Sequence, residues 1–473
     1  MLFNSFDFLL FFPVVTLFYF LLPHKFRWFH LLAASCIFYM AFVPVYILIL
    51  FATIIIDYVA GILIEKASGK TKKLLLVLAI VLNILILCIF KYYNFFLDQS
   101  AIILSALGFR QFELRYLDIL LPIGLSFHTF QALSYIIEVK RGNVKAERHF
   151  GIYSLYVMFF PQLVAGPIER PQNMLHQFHE EKHFDGNRVI MGLKIMLWGF
   201  VKKLVIADRL GIYVDEVYSS AQTTGSLNLW LAVLLFFPFQ IYCDFSGYSS
   251  IAVGSATVLG FNLMENFRTP FSSLTTSELW NRWHISLSSW FRDYLYQPIV
   301  IFLRDYGKWS VVAGLIITFF LSGLWHGAGV TFILYGLFQG IVIVIEYLFG
   351  VKATKLSKKP YLKLRGILIT YFLFSLSLIF FRSFGLRKAG RILKKMFWDI
   401  DMQFVHIPKM ADFSYFISVA SIAALLLFEG SRGERLLYQN YSLRKETIIT
   451  SGMIILLILF GVFYNVSFIY FQF

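Results

Sequence analysis

Residues 74–93, LLLVLAIVLNILILCIFKYY, decide the fold class: apart from Asn83 and Lys91, every side chain in the run is aliphatic, aromatic or a cysteine. A helix of that length rises about 30 Å, the thickness of a bilayer's hydrocarbon core. Similar apolar windows recur near residues 7–23, 28–43, 46–64, 119–138, 150–168, 190–212, 228–260, 309–327, 329–349, 361–381, 411–429 and 447–466. The pattern predicts an all-α integral membrane protein with roughly 11–13 transmembrane helices. Composition agrees, since 59% of the residues are hydrophobic and 15% charged, against about 45–50% and about 25% in soluble domains. The windows leave no room for a soluble domain above roughly 40 residues, so 1–473 reads as a single polytopic membrane domain.

The 42 Lys and Arg against 27 Asp and Glu give a formal charge of +15. In a chain of this kind the excess belongs to short cytoplasmic loops and the surrounding lipid headgroups, not to nucleic acid. Lys66, Lys70, Lys72 and Lys73 mark one such loop, and Lys140, Arg141, Lys145 and Arg148 mark another. The mixed segment 95–118 between them reads as external, which puts the N-terminus outside. The opening Met-Leu-Phe-Asn-Ser-Phe-Asp has no basic region before its apolar run, so it reads as a retained first span, not a cleaved leader. Cys36, Cys88 and Cys243 lie in apolar segments without metal spacing and read as small buried residues. Two segments depart from plain spans. Pro238, Asp244, Ser246 and Gly247 interrupt 228–260, and 271–299 is aromatic but charged, so both read as broken, re-entrant or interfacial.

Ionisable groups at mid-membrane cost about 2.5–3.5 kcal/mol on insertion scales, so the places where polar residues gather carry information. The first gathers Ser126, His128, Thr129 and Gln131, with Tyr135 and Glu138 following. This pattern fits interhelical hydrogen bonding, and it also fits a cavity lining. Nearby, Pro161, Gly166 and Pro167 predict a helix that ends inside the protein, with Gln162 and Glu169 as its polar termini.

The second cluster runs from Tyr242-Cys-Asp244-Phe-Ser246-Gly-Tyr248 through Glu265-Asn-Phe-Arg-Thr-Pro270 to Leu279–Tyr294. At 100° per residue Leu279, Trp283, Leu287, Trp290 and Tyr294 form one stripe, with Asn281, Ser288 and Arg292 opposite and His284 on the boundary. The spacing predicts an interfacial amphipathic helix, either a plain aromatic belt or the wall of a pocket with His284 at its polar tip. The third is Leu321-Ser-Gly-Leu-Trp-His326-Gly-Ala-Gly329. His326 there is either a packing residue or a neutral imidazole placed to deprotonate a hydroxyl or thiol. Lys202 and Lys203 read as membrane-surface anchors, with phosphate binding as the other reading.

Other chemistries find little support. His176, His179 and His183 have superficial metal spacing in a solvated segment, and no metal site is expected. Phosphate-binding loops, dinucleotide glycine patterns and a GxSxG nucleophile motif are missing from the sequence. A proton-coupled transporter remains the rival from another class, because intramembrane His and Asp also serve proton relays.

At these clusters the chain resembles the membrane-bound O-acyltransferases, and within them the membrane subunits of bacterial alginate O-acetylation. The matching stretches are LPIGLSFHTFQALSYIIEV, FPQLVAGPIER, DFSGYSSIAVG, LWNRWHISLSSWFRDYLY and LSGLWHGAG, in that order, together with FNSFDFLLFF near the start and FIYFQF at the end. The resemblance implies a core at about 115–349 around a central tunnel, followed by C-terminal spans and a tyrosine-bearing tail at 361–473. It implies catalysis by His326 and His284, a donor site near Arg282, Arg292, Trp283 and Asn281, and polar tunnel residues Asp244, Ser246, Tyr248, Gln162, Glu169 and His128. Ser250 stands where relatives commonly carry Asp, which removes that carboxylate from the expected set. Tyr470 matches a tail tyrosine proposed to relay the acyl group. Its phenol ordinarily ionises near pH 10 and needs a base. Further implications are acetyl-CoA as donor with no permanently bound cofactor, an extracytoplasmic SGNH-type partner, a polysaccharide acceptor and residence in a bacterial inner membrane. Peptidoglycan O-acetylation and teichoic acid D-alanylation are the alternatives within the same resemblance.

Overall fold

The computed structural model of the chain describes residues 1–109, 116–117, 122–221, 223–407, 410, 412–431, 433–463 and 468–469. Among them the regular structure is helical, with an isolated antiparallel bridge from Phe267 to Trp283. Contacts divide the chain into two compact units, residues 1–185 with 259–263, and residues 186–258 with 264–473.

The first unit contains α1 (Phe6–Leu21), α2 (His24–Met40), α3 (Ile47–Lys66), α4 (Gly69–Leu87), α5 (Tyr93–Ala106), α6 (Leu125–Arg141), α7 (Phe150–Met158) and α8 (Pro171–His179). α4 buries Ala79, Asn83 and Leu87 on one face and exposes Leu74, Val77, Leu78 and Val81, as a lipid-facing helix does. α6 is buried on nearly every side and packs against α3, α4, α7 and α8. The two basic loops meet: Glu65 accepts the backbone N–H of Ala146 at 3.0 Å and pairs with Arg148. They therefore lie at one end of this unit.

The second unit contains α9 (Gly186–Phe200), α10 (Asp208–Ser219), α11 (Ser226–Leu231), α12 (Phe237–Leu259), α13 (Thr276–Trp280), α14 (Ile285–Phe291), α15 (Gln297–Phe302), α16 (Lys308–His326) and α17 (Val330–Leu348). It continues with α18 (Ala353–Leu356), α19 (Pro360–Arg382), α20 (Leu386–Phe397), α21 (Asp412–Gly430), α22 (Gly433–Leu437) and α23 (Leu443–Phe460). Wide π-type turns at 201–207, 232–236 and 292–296 join helices end to end.

Seven stretches among the described residues are long and apolar enough to cross a membrane: 44–66, 69–106, 226–259, 308–326, 330–348, 360–382 and 412–430. Such a chain is a multi-pass membrane protein. The remaining predicted windows are shorter or interrupted. α1 has 16 residues, α7 stops at Met158, the 190–212 window widens into the 201–207 turn, and α23 begins with Arg444, Lys445 and Glu446. Residues 119–121 of another window lie outside the described residues.

Two local expectations are corrected. The 228–260 window is not broken at Asp244–Gly247, because α12 runs through them. The wide turn at 232–236 already relaxes the helical ladder where Pro238, lacking an N–H, would disturb it. Conversely, 279–294 is not one helix. α13 and α14 are separate short helices, since Trp283 bridges to Phe267 and the chain turns at His284. Leu279, Trp283, Leu287 and Trp290 are nevertheless all buried.

Candidate active site

His326 is the last residue of α16, and Gly327 then leaves the helix in an extended conformation. The sequence brings α16 and α17 close because Gly323 faces Gly336. A Cβ on Gly336 would lie 2.1 Å from the carbonyl oxygen of Phe319 and 2.9 Å from the Cα of Gly323. This contact fixes the helix pair beside the turn that carries His326. The buried imidazole is surrounded by Trp325, Tyr335 and Phe381, with ring centroids 4.9, 5.7 and 5.4 Å away.

His284 sits between α13 and α14 with φ of 45°, in the left-handed region. For a residue other than glycine such a conformation costs about 1–3 kcal/mol and needs support from its surroundings. Asn266 supplies it. Its carbonyl oxygen accepts the N–H of Ile285 at 2.9 Å. Its side-chain Oδ1 accepts the N–H of Ser286 at 3.1 Å and the Ser286 hydroxyl at 2.9 Å, and lies 3.1 Å from Nδ1 of His284. Arg268 N–H to Arg282 O, at 2.9 Å, closes the same turn.

The two histidines are brought together. Trp325 stands 6.1 Å from the His284 ring and 4.9 Å from His326, so both imidazoles pack on the same indole. α12 backs this arrangement. Phe245 packs its edge on His284 at 4.6 Å, and Ser249 accepts from Nδ2 of Asn266 at 3.3 Å.

A cavity of about 270 Å³ opens beside α14 and α16, lined among others by Asn281, Ser288, Arg292, Tyr296, Thr318 and Ser322. Ser322 is four residues before His326, so the two share a face of α16. Of the predicted donor-site residues, Asn281 and Arg292 line this cavity, whereas Arg282 and Trp283 do not. Arg282 donates to Glu278 at 2.6 Å and Ser272 at 2.8 Å, and Trp283 is buried among Tyr242, Phe267, Phe271 and Phe374.

The lysines do not behave as surface anchors. Lys202 and Lys203 are both buried, within the wide turn at 201–207. Lys203 contacts Asp244 at 2.5 Å and Asp208 at 2.8 Å, while Lys202 donates to Ser250 at 2.9 Å. Ser246 and Tyr248 are buried on α12 near Asp244. Tyr470 lies outside the described residues.

His128, Gln162 and Glu169 belong to the first unit. Nε2 of His128 is 2.5 Å from Thr53 Oγ1, joining α6 to α3. Gln131 and Gln162 both donate to the Tyr156 carbonyl, at 2.5 and 2.7 Å, and satisfy the inner end of α7. Tyr156 in turn donates to the carbonyl of Glu169. Sequence reasoning passed over Asn266 and also Gln339, which accepts from Trp280 at 3.1 Å and donates to Ser377 at 2.8 Å. Gln339 had a visible signal, the single amide of α17, flanked by apolar residues and glycine.

Comparison with known proteins shows that residues 140–384 match the family model of MBOAT, the membrane-bound O-acyltransferase family. A probable alginate O-acetylase, AlgI, of Pseudomonas syringae pv. tomato is 36% identical over 446 residues, covering 93% of this chain and 83% of that protein. The probable alginate O-acetylase of Pseudomonas aeruginosa is 38% identical, covering 84% of this chain and 75% of its own length. A peptidoglycan O-acetyltransferase of Helicobacter pylori is 32% identical, covering 80% and 76%.

Proposed function

The chain belongs to the membrane-bound O-acyltransferase family, and from that premise we propose that this O-acyltransferase takes an acetyl group from a cytoplasmic thioester, acetyl-CoA, for O-acetylation of an extracytoplasmic polysaccharide such as alginate. The observation that carries the reading is the convergence of His284 and His326 around Trp325, beside a cavity lined by Asn281 and Arg292.

In this mechanism Nε2 or Nδ1 of His326 accepts the proton of an acceptor hydroxyl as its oxygen attacks the thioester carbonyl. The new C–O bond forms, the tetrahedral intermediate collapses, and the C–S bond breaks. The sulfur leaves as thiolate and regains the proton from His326. His284 serves beside it. Oδ1 of Asn266 accepts from a backbone N–H, so it faces the imidazole as an acceptor, and His284 donates through Nδ1. The neutral ring then offers Nε2 as an acceptor that orients the attacking hydroxyl, while the single proton of the step passes through His326. In this proposal the donor phosphates are held by Asn281 and Arg292, which line the cavity, with Arg292 exchanging part of its contact to Asp293 for the phosphate.

The immediate acceptor in this proposal is Tyr470 or a hydroxyl on an extracytoplasmic SGNH-type partner that completes transfer to the polymer. The setting is the bacterial inner membrane, with the thioester inside and the polymer outside. The similarity to a peptidoglycan O-acetyltransferase makes peptidoglycan the second acceptor to test.

The test uses purified protein in nanodiscs with acetyl-labelled CoA, scoring CoA release and protein-bound label for wild type, His326→Ala and Tyr470→Phe. Label that requires both residues supports the relay. CoA release that requires His326 but leaves no label on Tyr470 supports direct transfer to the partner. No turnover in wild type with partner present, but turnover with a carrier-protein thioester, overturns acetyl-CoA as donor.

A further inference from the structure

α19 separates two basic runs. Six Lys and Arg lie between residues 352 and 365 and six more between 382 and 395, with no Asp or Glu in either run. The helix between them, 360–382, has 23 residues and is apolar enough to cross a membrane. Its rise of about 35 Å puts the two runs on opposite sides. The cytoplasmic preference of Lys and Arg explains one run, and the other needs an anionic partner of its own. The later run is carried on a regular 12-residue helix, α20, which follows the end of α19 where Phe381 packs on His326.

At 100° per residue α20 presents three faces. Ala389, Ile392 and Met396 are buried, and the helix packs against α11, α17 and α19. Leu386, Leu393 and Phe397 form a second, apolar strip, of which Leu386 and Phe397 are exposed. Arg387, Lys388, Arg391, Lys394 and Lys395 fill an arc of about 120° turned away from both. Lys394 pairs with Asp399 at 2.9 Å and Lys395 with Asp401 at 3.6 Å. Arg387, Lys388 and Arg391 have no carboxylate partner among the described residues. They crowd one another instead. Arg391 Nε donates to the backbone carbonyl of Arg387 at 3.2 Å, and partial burial with Arg382 and Arg391 nearby lowers the pKa of Lys388. An anion set among these like charges relieves their repulsion.

The helix is flanked by exposed Phe384, Trp398 and Ile400, groups of the kind that sit at headgroup level. An anionic phospholipid matches both features, with phosphate for the basic arc and acyl chains for the apolar strip. A soluble polyanion would leave Leu386, Phe397 and Trp398 in water. We propose that α20 is a binding site for anionic phospholipid, with Arg387, Lys388 and Arg391 on the headgroup phosphate and Leu386, Leu393 and Phe397 against the acyl chains.

The test titrates the full-length protein in detergent with dioleoyl phosphatidylglycerol or, as neutral control, dioleoyl phosphatidylcholine. Native mass spectrometry reads bound lipid, and unfolding reads the thermal midpoint. Wild type is expected to retain phosphatidylglycerol and gain in midpoint, and to do neither with phosphatidylcholine. Each basic group near an anionic headgroup is worth about fivefold in binding. Combining Arg387→Gln, Lys388→Gln and Arg391→Gln should therefore weaken apparent affinity on the order of 10²-fold. Arg391→Gln alone, with a loss of about fivefold, decides the matter even where the triple variant fails to fold. Phe397→Ser should weaken retention with the basic arc intact. Equal retention by wild type and both Arg391 variants overturns the site, and equal retention of the two lipids overturns selection by charge. If inorganic phosphate alone reproduces the midpoint shift, or an anionic oligosaccharide displaces phosphatidylglycerol, a soluble anion replaces the phospholipid as occupant and the proposal falls. None of these readouts depends on acyl transfer.

Discussion

Asn266 holds His284 from two sides, taking the backbone of the left-handed turn at Ile285 and Ser286 and the imidazole itself at Nδ1, 3.1 Å from its side-chain oxygen. One residue thus supports a strained backbone and selects the tautomer. Asn266→Ala should lower kcat on the order of 10²-fold, within the range of general acid–base effects. Asn266→Asp keeps an acceptor at Oδ1 but adds a negative charge that favours protonated imidazole. Its acid limb of kcat against pH should therefore move to higher pH. A role confined to the backbone would leave that limb in place.

His326 closes α16 among aromatic rings, and the helix is held by Gly323 and Gly336, not by the imidazole. His326→Ala should lose on the order of 10²–10⁴ in acetyl transfer with little change in thermal midpoint. Parallel turnover and unfolding measurements check this. Equal loss of stability and activity would return His326 to a packing role.

Legibility followed how local each signal was. Apolar runs such as 44–66 and 330–348 became spans because length and hydropathy are properties of one segment. The inner end of α7 was readable from Pro161, Gly166 and Pro167 for the same reason. The stripe from Leu279 to Trp290 gave the buried residues correctly and the helix wrongly, because Asn266, thirteen residues earlier, supplies the hydrogen bonds that turn the chain at His284. Lys202 and Lys203 defeated sequence reasoning by the same logic. Their partners Asp244 and Ser250 are brought in only by tertiary packing. His326 stood out through its glycine-rich surroundings, whereas Asn266 looked like one polar residue in a polar loop.

Lys194 on α9 is buried and donates to Glu446 Oε1 at 2.8 Å and to the carbonyl of Gln439 at 2.7 Å, tying α23 to α9. Lys194→Met removes the cation and leaves the Glu446 carboxylate buried, so the expected destabilisation is about 3–5 kcal/mol. Adding Glu446→Gln should recover part of it. Thermal unfolding of both variants in detergent checks the pair. A single-mutant loss that the second substitution deepens would show that the ion pair is not the source.

Gly336 tests whether the α16–α17 contact positions the chemistry. An alanine there places its Cβ against the backbone oxygen of Phe319 and the backbone of Gly323, neither of which can rotate aside. The helices must separate, and overpacking of this kind costs about 1–3 kcal/mol. α16 ends at His326, so any spreading also shifts the imidazole relative to His284, and reacting groups tolerate little misplacement. Gly336→Ala should therefore lose more activity than its stability loss accounts for when both are assayed well below the thermal midpoint. Gly390→Ala on α20 is the control, because its Cβ meets nothing within 4 Å. Alanine's better helix propensity should stabilise that variant by up to about 1 kcal/mol with unchanged turnover. If Gly336→Ala lowers the midpoint but leaves turnover per folded molecule intact, the helix contact serves stability alone, and the histidine is positioned by its aromatic neighbours.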